Sequence, residues 1–293
     1  MAIKLGGGGG SASQINEVVT LNNQDNVVTL DDGRVYMRGG VYETTTSTYP
    51  LANSEITYTG TSFYVGSEDI LPRDITWDGT YFYVLGRQHN AVKKYNASGV
   101  YQNVSFSVAS QEGLPNGIVY DGSHLWVIGN ANNTAFKYTT SGTYTGVNFS
   151  TASQTNNSGA SSITWDGTHF WVADFHNDAV YKYNSGGVYQ NVSFSTSNEM
   201  GSGTIGSLAF DGTYLWVNAY SQYKFYAYNL SGVYQNKFIS SSVINDAYPW
   251  GLGAAGSDLY HCGYSRDTVY KFEEAVGVTS VSSLGGQNYV RVA

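Results

Sequence analysis

The feature that most constrains this chain is a ten-residue pattern that returns five times. The copies are ITWDGTYFYV at 75–84, IVYDGSHLWV at 118–127, ITWDGTHFWV at 163–172, LAFDGTYLWV at 208–217 and the degenerate LGAAGSDLYH at 252–261. The turn aspartates Asp78, Asp121, Asp166 and Asp211 lie 43, 45 and 45 residues apart, and Ala255 takes the fifth place 44 residues later. A repeat of about 40–50 residues built from short strands is typical of a β-propeller, whose blades bury their faces only by stacking.

Each copy of the repeat contains four strand signals, which we call A to D. In the first copy, ITW at 75–77 predicts strand A, and Asp78-Gly79 predicts a two-residue hairpin turn because these residue types adopt positive φ readily. FYVLG at 82–86, AVKKY at 91–95 and VYQNVSFSV at 100–108 predict strands B, C and D. Aromatic markers recur in the later copies: Tyr95, Tyr138, Tyr183, Tyr228 and Phe272 in the C strands, and Phe106, Phe149, Phe194 and Phe238 in the D strands.

The fifth copy has no D strand of its own, and a matching segment lies ahead of the first copy instead. TYTGTSFYV at 57–65 nearly repeats the D strand TYTGVNFST at 143–151. We therefore predict that an N-terminal strand completes the last blade, which leaves no open sheet edge. A sixth blade would need another A–B–C set, and the sequence contains none. The prediction is an all-β fold with a five-bladed β-propeller over residues 54–273.

Two segments lie outside the repeats. Residues 1–53 include the five-glycine run 6–10 and the strand-like stretches EVVTL, NVVTL and RVYMR, and residues 274–293 include VGVTSV and NYVRVA. Both segments alternate apolar and polar residues as half-buried strands do, and strand exchange brings them close to each other. We predict that they pair into a small β module; disordered tails are the alternative.

Composition narrows the classes of partner. The net charge is −8 and no cluster of Lys or Arg occurs, so no nucleic-acid partner is expected, because the phosphate backbone requires a basic surface. The single cysteine, Cys262, has no disulfide partner, which fits synthesis in a reducing compartment. The N-terminal MAIKLGGGGGSAS lacks the apolar core of a secretory signal, and no stretch approaches the ~20 apolar residues of a membrane span. We expect cytoplasmic synthesis and no membrane insertion.

In a propeller the A–B and C–D turns emerge on one face, and the D–A and B–C loops emerge on the other. The first face is uniform here, and backbone conformation explains its Asp-Gly and Ser-Gly turns. The second face varies and carries aromatic residues, Arg, His and Asn, which suit sugar CH surfaces and hydroxyl groups. The candidate ligand-binding residues are Trp250, Tyr220, Tyr223, His176, Arg87, Phe175, Arg73, Tyr264 and Arg266. Free variation of unconstrained loops is the alternative interpretation.

Metal and catalytic sites are weakly indicated. The histidines show no HxH or HExxH spacing, so we predict no metal site, and no motif implies a cofactor. Glycan cleavage in a propeller requires convergent carboxylates, and Asp74 and Asp174 are the only acids expected near the channel mouth. Asp174 also departs from the small residues found at its position in the other copies. Two acids in non-adjacent blades favour a protein that is not an enzyme.

The repeats and flanks together resemble a group of marine bacteriophage virion proteins, in which a short N-terminal module precedes propeller repeats of the WDG type. The matching stretches are ITWDGTHFWV at 163–172, AVYKYNSGGVYQNVSFST at 179–196, DDGRVYMRGGVYETTTSTYP at 31–50 and AVGVTSVSSLGGQNYVRVA at 275–293. The resemblance covers essentially the whole chain and implies a tail-fibre or related virion-surface component. It transfers no catalytic motif, and Ala255 in place of aspartate argues against five equal ligand sites.

The leading hypothesis is therefore a structural phage protein located in the virion, an adhesin of the tail fibre or tail tip. Residues 1–53 and 274–293 would contact other virion proteins or form a homo-oligomer, and the variable propeller face would bind a host-surface glycan or protein. A capsid or tail decoration protein without receptor binding is the alternative. The third hypothesis is a glycan-cleaving enzyme that uses Asp74 and Asp174.

Overall fold

The computed structural model of the chain describes residues 2–4, 18–20, 27–29, 35–39, 49–50, 56–67, 71–154, 159–201, 203–244, 246, 249–274, 276–277, 282–284 and 287–292. The chain divides into two units, one of Glu55–Glu274 and one of Met1–Ser54 together with Ala275–Ala293. The first unit is a five-bladed β-propeller, and each blade is an antiparallel sheet with the strand order A-B-C-D.

The strand bounds repeat closely from blade to blade. In blade 1, strands A to D are Pro72–Trp77, Tyr81–Gly86, Ala91–Asn96 and Tyr101–Ser107. In blade 2 they are Pro115–Tyr120, Leu125–Gly129, Thr134–Tyr138 and Tyr144–Ser150. In blade 3 they are Ala160–Trp165, His169–Asp174, Ala179–Asn184 and Tyr189–Ser195. In blade 4 they are Ile205–Phe210, Leu215–Ala219, Lys224–Tyr228 and Tyr234–Ser240.

Blade 5 is closed by the N-terminal strand, as the sequence predicts. Its strands A to C are Pro249–Ala255, Asp258–Gly263 and Thr268–Glu274, and its strand D is Ile56–Tyr64. The two outer strands are antiparallel, with Val269 opposite Phe63 and Glu274 opposite Ile56. Helix is confined, in the described part of the propeller, to one short α-helix, Ser197–Met200, and two 3-10 turns, Tyr220–Gln222 and Ser242–Ile244.

The smaller unit contains strands from both ends of the chain, which confirms the predicted β module. Val35–Gly39 pairs on one side with Val27–Thr29 and on the other with Gln287–Val292, which also pairs with Ser282–Leu284. Tyr49–Pro50 pairs with Val276–Gly277, and Ala2–Lys4 pairs with Val18–Thr20. The glycine run 6–10 and the rest of both terminal segments lie outside the described residues.

The propeller core consists of apolar clusters that each join two neighbouring blades. Between blades 2 and 3, for example, the ring of Phe149 lies 5.5 Å from that of Phe170 and 5.5 Å from that of Tyr183. Burying one such aromatic side chain stabilises the fold by about 1.5–3 kcal/mol, so no blade is stable without its neighbours. Phe238 lies in strand D of blade 4, as predicted, but is 50 % exposed, and Ile239 occupies the inward position opposite Phe225.

In blades 1 to 4, the aspartate of the A–B turn is held by its side chain as well as by its backbone. Asp166 accepts, through Oδ1, the N–H groups of Thr168 at 2.8 Å and His169 at 2.6 Å. Its Oδ2 accepts the indole N–H of Trp171 at 2.8 Å. The same bond to the aromatic residue five positions later recurs in the pairs Asp78–Tyr83, Asp121–Trp126 and Asp211–Trp216. The uniform face of the propeller therefore has a structural explanation.

Candidate functional site

Every A strand begins with a β-bulge on the variable face. In blade 1 the pairing with strand B skips Arg73, which lies between the paired residues Pro72 and Asp74. The skipped residues of the five blades, here called the bulge residues, are Arg73, Asn116, Ser161, Gly206 and Trp250. A bulge redirects a side chain out of the sheet and is over-represented beside functional sites. These five residues therefore differ in type at one structurally equivalent position.

The next residue of each A strand lies at the propeller axis, and Asp74 occupies this place in blade 1. Its Oδ2 accepts the backbone N–H of Ile118 at 3.0 Å and the hydroxyl of Ser162 at 3.3 Å. Its Oδ1 accepts the hydroxyl of Ser207 at 3.1 Å and the N–H of Leu252 at 3.2 Å. One fully buried carboxyl group thus connects blade 1 to the four other blades. Burial raises its pKa to about 8, although the hydrogen bonds from Ile118, Ser207 and Leu252 oppose that shift.

Asp174, the second acid considered for catalysis, holds its own B–C loop. It is fully buried and accepts the backbone N–H groups of His176 at 2.8 Å and Asn177 at 3.3 Å, together with the Asn177 amide. Glu112 does the same in blade 2, where it accepts the N–H groups of Leu114 at 2.9 Å and Ala131 at 3.1 Å. The departure of Asp174 from the repeat therefore has a structural reason. Neither Asp74 nor Asp174 reaches solvent.

Four of the sequence-predicted residues form one stack, which we call the Arg73 stack: Tyr220, Trp250, Arg73 and Tyr264. The rings of Tyr220 and Trp250 are 4.5 Å apart at an interplanar angle of 15°. The guanidinium carbon of Arg73 lies 4.3 Å from the centre of the Trp250 ring and 5.2 Å from that of Tyr264. Two groups that both lie within 4.5 Å of the centre of the Trp250 ring cannot share one face of it, so Tyr220 and Arg73 cover opposite faces. The stack joins blades 1, 4 and 5.

The coverage of Trp250 limits which surfaces the sugar-binding prediction can use. A sugar ring stacks on an open aromatic face, and both faces of Trp250 are occupied within the protein. The half-buried rings of Tyr220 and Tyr264 lie at the outer ends of the stack. A ligand bound at this stack would therefore contact those two tyrosines and the edge of Trp250.

Arg73 carries a buried charge with unused hydrogen-bond donors. The residue is only 8 % exposed, and its Nε and Nη1 atoms are buried without a hydrogen-bond partner in the described part of the chain. Burial lowers its pKa to about 10; the nearby Arg87 contributes to the decrease, whereas Tyr264 opposes it. No ion pair links Arg73 or Arg87 to any described carboxylate. The hydroxyl of Ser161, another bulge residue, is also buried without a partner among those residues.

The other sequence-predicted candidates lie apart from the stack or at its margin. Phe175 and His176 contact each other in the B–C loop of blade 3, with ring centroids 4.1 Å apart. Tyr223 ends the 3-10 turn of blade 4 in a left-handed conformation, with φ 56°. Arg266 is exposed in the B–C loop of blade 5. Tyr223 is joined to the stack through its backbone, because its N–H donates to the backbone oxygen of Tyr220 at 3.4 Å.

Three residues of the site escaped the sequence-based selection. Asn218 donates its side-chain amide to the backbone oxygen of Trp250 at 2.8 Å and so holds the centre of the stack. Gly206 packs closely against the two residues that carry the stacked rings, since an added Cβ would lie 3.2 Å from the Trp250 backbone oxygen and 3.3 Å from the Tyr220 Cβ. Ser161 contributes the buried hydroxyl. The available signal was positional, since Ser161 and Gly206 align with Arg73 and Trp250 in the repeat.

Two further classes of site were searched in the described residues. No group of three or more His, Cys, Asp or Glu side chains there is arranged to hold a metal ion. No helix in that part of the chain is long and apolar enough to cross a membrane.

The chain matches no protein-family model and no curated protein. Its fold is similar to that of a glutaminyl cyclase from Myxococcus xanthus, with a TM-score of 0.56 and 8 % identity, over 75 % of this chain and 95 % of that chain. A virginiamycin B lyase from Staphylococcus aureus matches with a TM-score of 0.45 and 18 % identity, over 88 % of this chain and 84 % of that one. Regucalcin from Agrobacterium tumefaciens, a calcium-binding protein, matches with a TM-score of 0.46 and 10 % identity, over 74 % and 94 %.

These similarities show the propeller fold alone. The identities are too low to transfer a site or an activity, because propellers support many unrelated functions. The glutaminyl cyclase is an enzyme, so the comparison leaves open whether this chain is one.

Proposed function

We propose that the chain is a structural protein of a bacteriophage particle, and that its propeller binds a receptor on the host surface. The observation that carries the binding role is the Arg73 stack, in which loops and bulges of three blades bring Tyr220, Trp250, Arg73 and Tyr264 together. Trp, Tyr and Arg are the residue types that dominate binding energy at protein interfaces. The resemblance of the repeats and of both chain ends to marine phage virion proteins supports the location.

The smaller unit fits the role of attachment in this proposal. Its sheet pairs Val35–Gly39 with Gln287–Val292, so both chain ends are held in one unit that is separate from the propeller. We propose that this unit contacts other virion proteins or a second copy of the chain. A particle that carries many copies turns weak single-site binding into strong attachment through avidity.

Binding rather than catalysis is the activity we propose for the face. The two acids considered for glycan cleavage are fully buried, and each accepts several hydrogen bonds from the fold. A general acid or a nucleophile must instead contact the scissile bond. We therefore place no reaction step on Asp74 or Asp174.

The test compares attachment to host cells by the purified full chain and by two double variants. Tyr220→Ala with Tyr264→Ala removes the outer rings of the stack, whereas Tyr81→Ala with Tyr214→Ala removes two half-buried tyrosines beside the A–B turns. Bound protein is measured by flow cytometry, after circular dichroism has established that all variants are folded. We expect the first variant to lose attachment at least fivefold and the control to keep it. Equal attachment by both variants would contradict the proposed site.

A decoration protein without receptor binding is the second candidate. The coverage of both Trp250 faces favours it, because a ring that is already packed also serves to fix loops. Copy number distinguishes the two candidates. Quantitative mass spectrometry of purified particles would give hundreds of copies for a lattice decoration and a few for a tail-end adhesin.

A further inference from the structure

We propose that the Arg73 stack recognises the negatively charged group, a carboxylate or a sulfate, of an acidic saccharide. This inference rests on the proposed receptor-binding function and specifies the chemistry of the ligand. It also predicts that a neutral sugar of the same size binds poorly.

The first argument is the unsatisfied guanidinium group. Arg73 is 8 % exposed, and two of its nitrogens are buried without an acceptor in the described part of the chain. Buried polar groups in folded proteins almost always have partners, and a charged donor without one is especially costly. An oxygen atom of a ligand would accept the hydrogen bonds that these two nitrogens do not make within the described part of the chain.

The second argument is that nearby carboxylates serve other groups. Asp74 accepts hydrogen bonds from four blades, Asp174 holds its own loop, and Asp267 accepts the N–H of Leu71 at 2.8 Å. No described carboxylate pairs with Arg73. Among the described residues no carboxylate supplies the counter-charge of Arg73, and an anionic ligand would supply it.

The third argument is a second cation, Arg87, close to Arg73. Arg87 lies near enough to lower the pKa of Arg73, so the two cations repel each other and have no described ion-pair partner between them. An anion placed beside them removes this repulsion.

The fourth argument concerns the saccharide that carries the anion. A guanidinium group presents planar donors that match carboxylate and sulfate oxygens. The guanidinium carbon of Arg73 lies 4.3 Å from the centre of the Trp250 ring and 5.2 Å from that of Tyr264. Tyr220 and Tyr264 supply half-buried aromatic surface for sugar CH groups. The hydroxyl of Ser161, which also lacks a described partner, lies at the same end of the axis because its neighbour Ser162 contacts Asp74 at 3.3 Å.

The first experiment tests the anion site directly by NMR on the full chain with 15N-labelled arginine. Sodium sulfate replaces sodium chloride at constant ionic strength, and Arg73→Lys assigns the Nε–H signal of Arg73. We expect this signal to shift with saturation, while that of the exposed Arg266 stays in place. A signal of Arg73 that does not move, or an equal shift at Arg266, would overturn the proposal.

The second experiment identifies the carrier of the charge by isothermal titration calorimetry. The probes are trigalacturonate, a sulfated galactan trisaccharide and neutral galactotriose, each titrated into the wild type, Arg73→Gln and the control Arg266→Gln. We expect at least one acidic trisaccharide to bind 10-fold or more tightly than galactotriose. Arg73→Gln should weaken that binding on the order of 10-fold to 100-fold, the range for losing a charged hydrogen bond, and Arg266→Gln should change it less than twofold. The two acidic arms distinguish carboxylate from sulfate.

The outcomes separate this inference from the proposed function. Equal binding of neutral and acidic sugars, unaffected by Arg73→Gln, overturns the charge requirement and leaves the receptor site standing. Attachment to cells without binding of either acidic sugar overturns the saccharide assignment. Absence of attachment to host cells overturns the proposed function itself. Since Arg73→Gln could disturb folding, the NMR titration of the wild type and the charge-conserving Arg73→Lys provide tests that do not depend on it.

Discussion

The turn aspartates show how one residue type gains a second role from its position. Asp-Gly is favoured at these turns by backbone conformation, and that reason is visible in the sequence. The hydrogen bond that the Trp171 indole N–H donates to Asp166 Oδ2 is not visible in the sequence, because it depends on strand B placing the ring over the turn. The spacing of five residues between the two is nevertheless present in the first four copies of the repeat.

Asp166→Ala is expected to destabilise the propeller. It removes the acceptor of two backbone N–H groups and of a partly buried indole N–H, which should lower the free energy of unfolding by about 1–3 kcal/mol. Urea denaturation followed by fluorescence measures the change. Thr168→Ala alters the neighbouring side chain while the aspartate remains, and serves as the control. Equal stability of Asp166→Ala and Thr168→Ala would refute the assigned role.

At the scale of the element, the A strands show what sequence analysis predicts and what it does not. Alternation and turn residues located all five A strands, but they did not reveal the bulge at the start of each one. A bulge is defined by pairing across strands, and here its residue is of five different types. Four of the nine candidate residues, Arg73, Trp250, Tyr220 and Tyr264, meet because two of them are bulge residues.

Gly206→Ala is expected to disturb the Arg73 stack by crowding the backbone of Trp250 and the Cβ of Tyr220. The added methyl group would lie 3.2 Å from the Trp250 oxygen and 3.3 Å from the Tyr220 Cβ, so the stacked pair must shift. We expect a cost of about 1 kcal/mol and a change in the near-ultraviolet circular dichroism of Trp250. Gly113→Ala is the matched control, because a Cβ at that position meets no atom within 4 Å. An identical spectrum for the two variants would show that the stack tolerates the methyl group.

The outer D strands share an irregularity in their backbone. Each contains a residue with positive φ, and these residues are Gly60, Asn103, Gly146, Asn191 and Asn236. Pairing shifts register beside this position, for example between Tyr181 and Tyr183 on the neighbouring strand of blade 3. A bulge on an edge strand makes it a poor template for pairing with another molecule, so five exposed edges remain compatible with a dispersed protein.

Substitution at Asn191 tests this irregularity, and the chain itself supplies the comparison. Asn191→Gly reproduces the residue found at the same place in blades 2 and 5 and should leave stability within about 0.5 kcal/mol of the wild type. Asn191→Val should cost about 1–2 kcal/mol, because a β-branched residue is strained at a φ of 54°. Thermal denaturation with light scattering measures both stability and aggregation. If the valine variant matched the glycine variant, the left-handed position would have no influence.

At the scale of the whole molecule, the sequence predicts how the propeller ring is closed but not how Asp74 connects the five blades at the axis. A displaced copy of strand D was visible in the sequence ahead of the first repeat, and it fixed the number of blades. Asp74 had instead been considered as a possible catalytic acid. Its contacts with Ile118, Ser162, Ser207 and Leu252 exist only when five A strands surround one axis, so no local pattern announces them.

Asp74 should make the stability of the propeller depend on pH. Its pKa is about 8 in the folded protein, above the ~3.9 of an unfolded chain, so the folded state retains the proton longer. The stabilising contribution of protonated Asp74 to the free energy of unfolding is fully present below about pH 4. It is lost as the pH rises to about 8, by up to about 1.4 kcal/mol per pH unit. Asp74→Asn should lack this component, as urea denaturation between pH 5 and pH 8 would measure.

The control for this series is Asp258→Asn, which alters a partly exposed acid 2.9 Å from Lys271 and leaves the axis intact. It should keep the pH slope of the wild type. An unchanged slope in Asp74→Asn would show that the axial carboxyl group does not titrate in this range.

The paired residues Ile56 and Glu274 have a mechanical consequence. The chain enters and leaves the propeller at this one pair, on the two outer strands of blade 5. If the smaller unit were fixed to a particle and the loops of the variable face to a cell, tension would reach the propeller through these two strands. Because both strands leave in the same direction, they would carry the load together and would not be peeled away from each other.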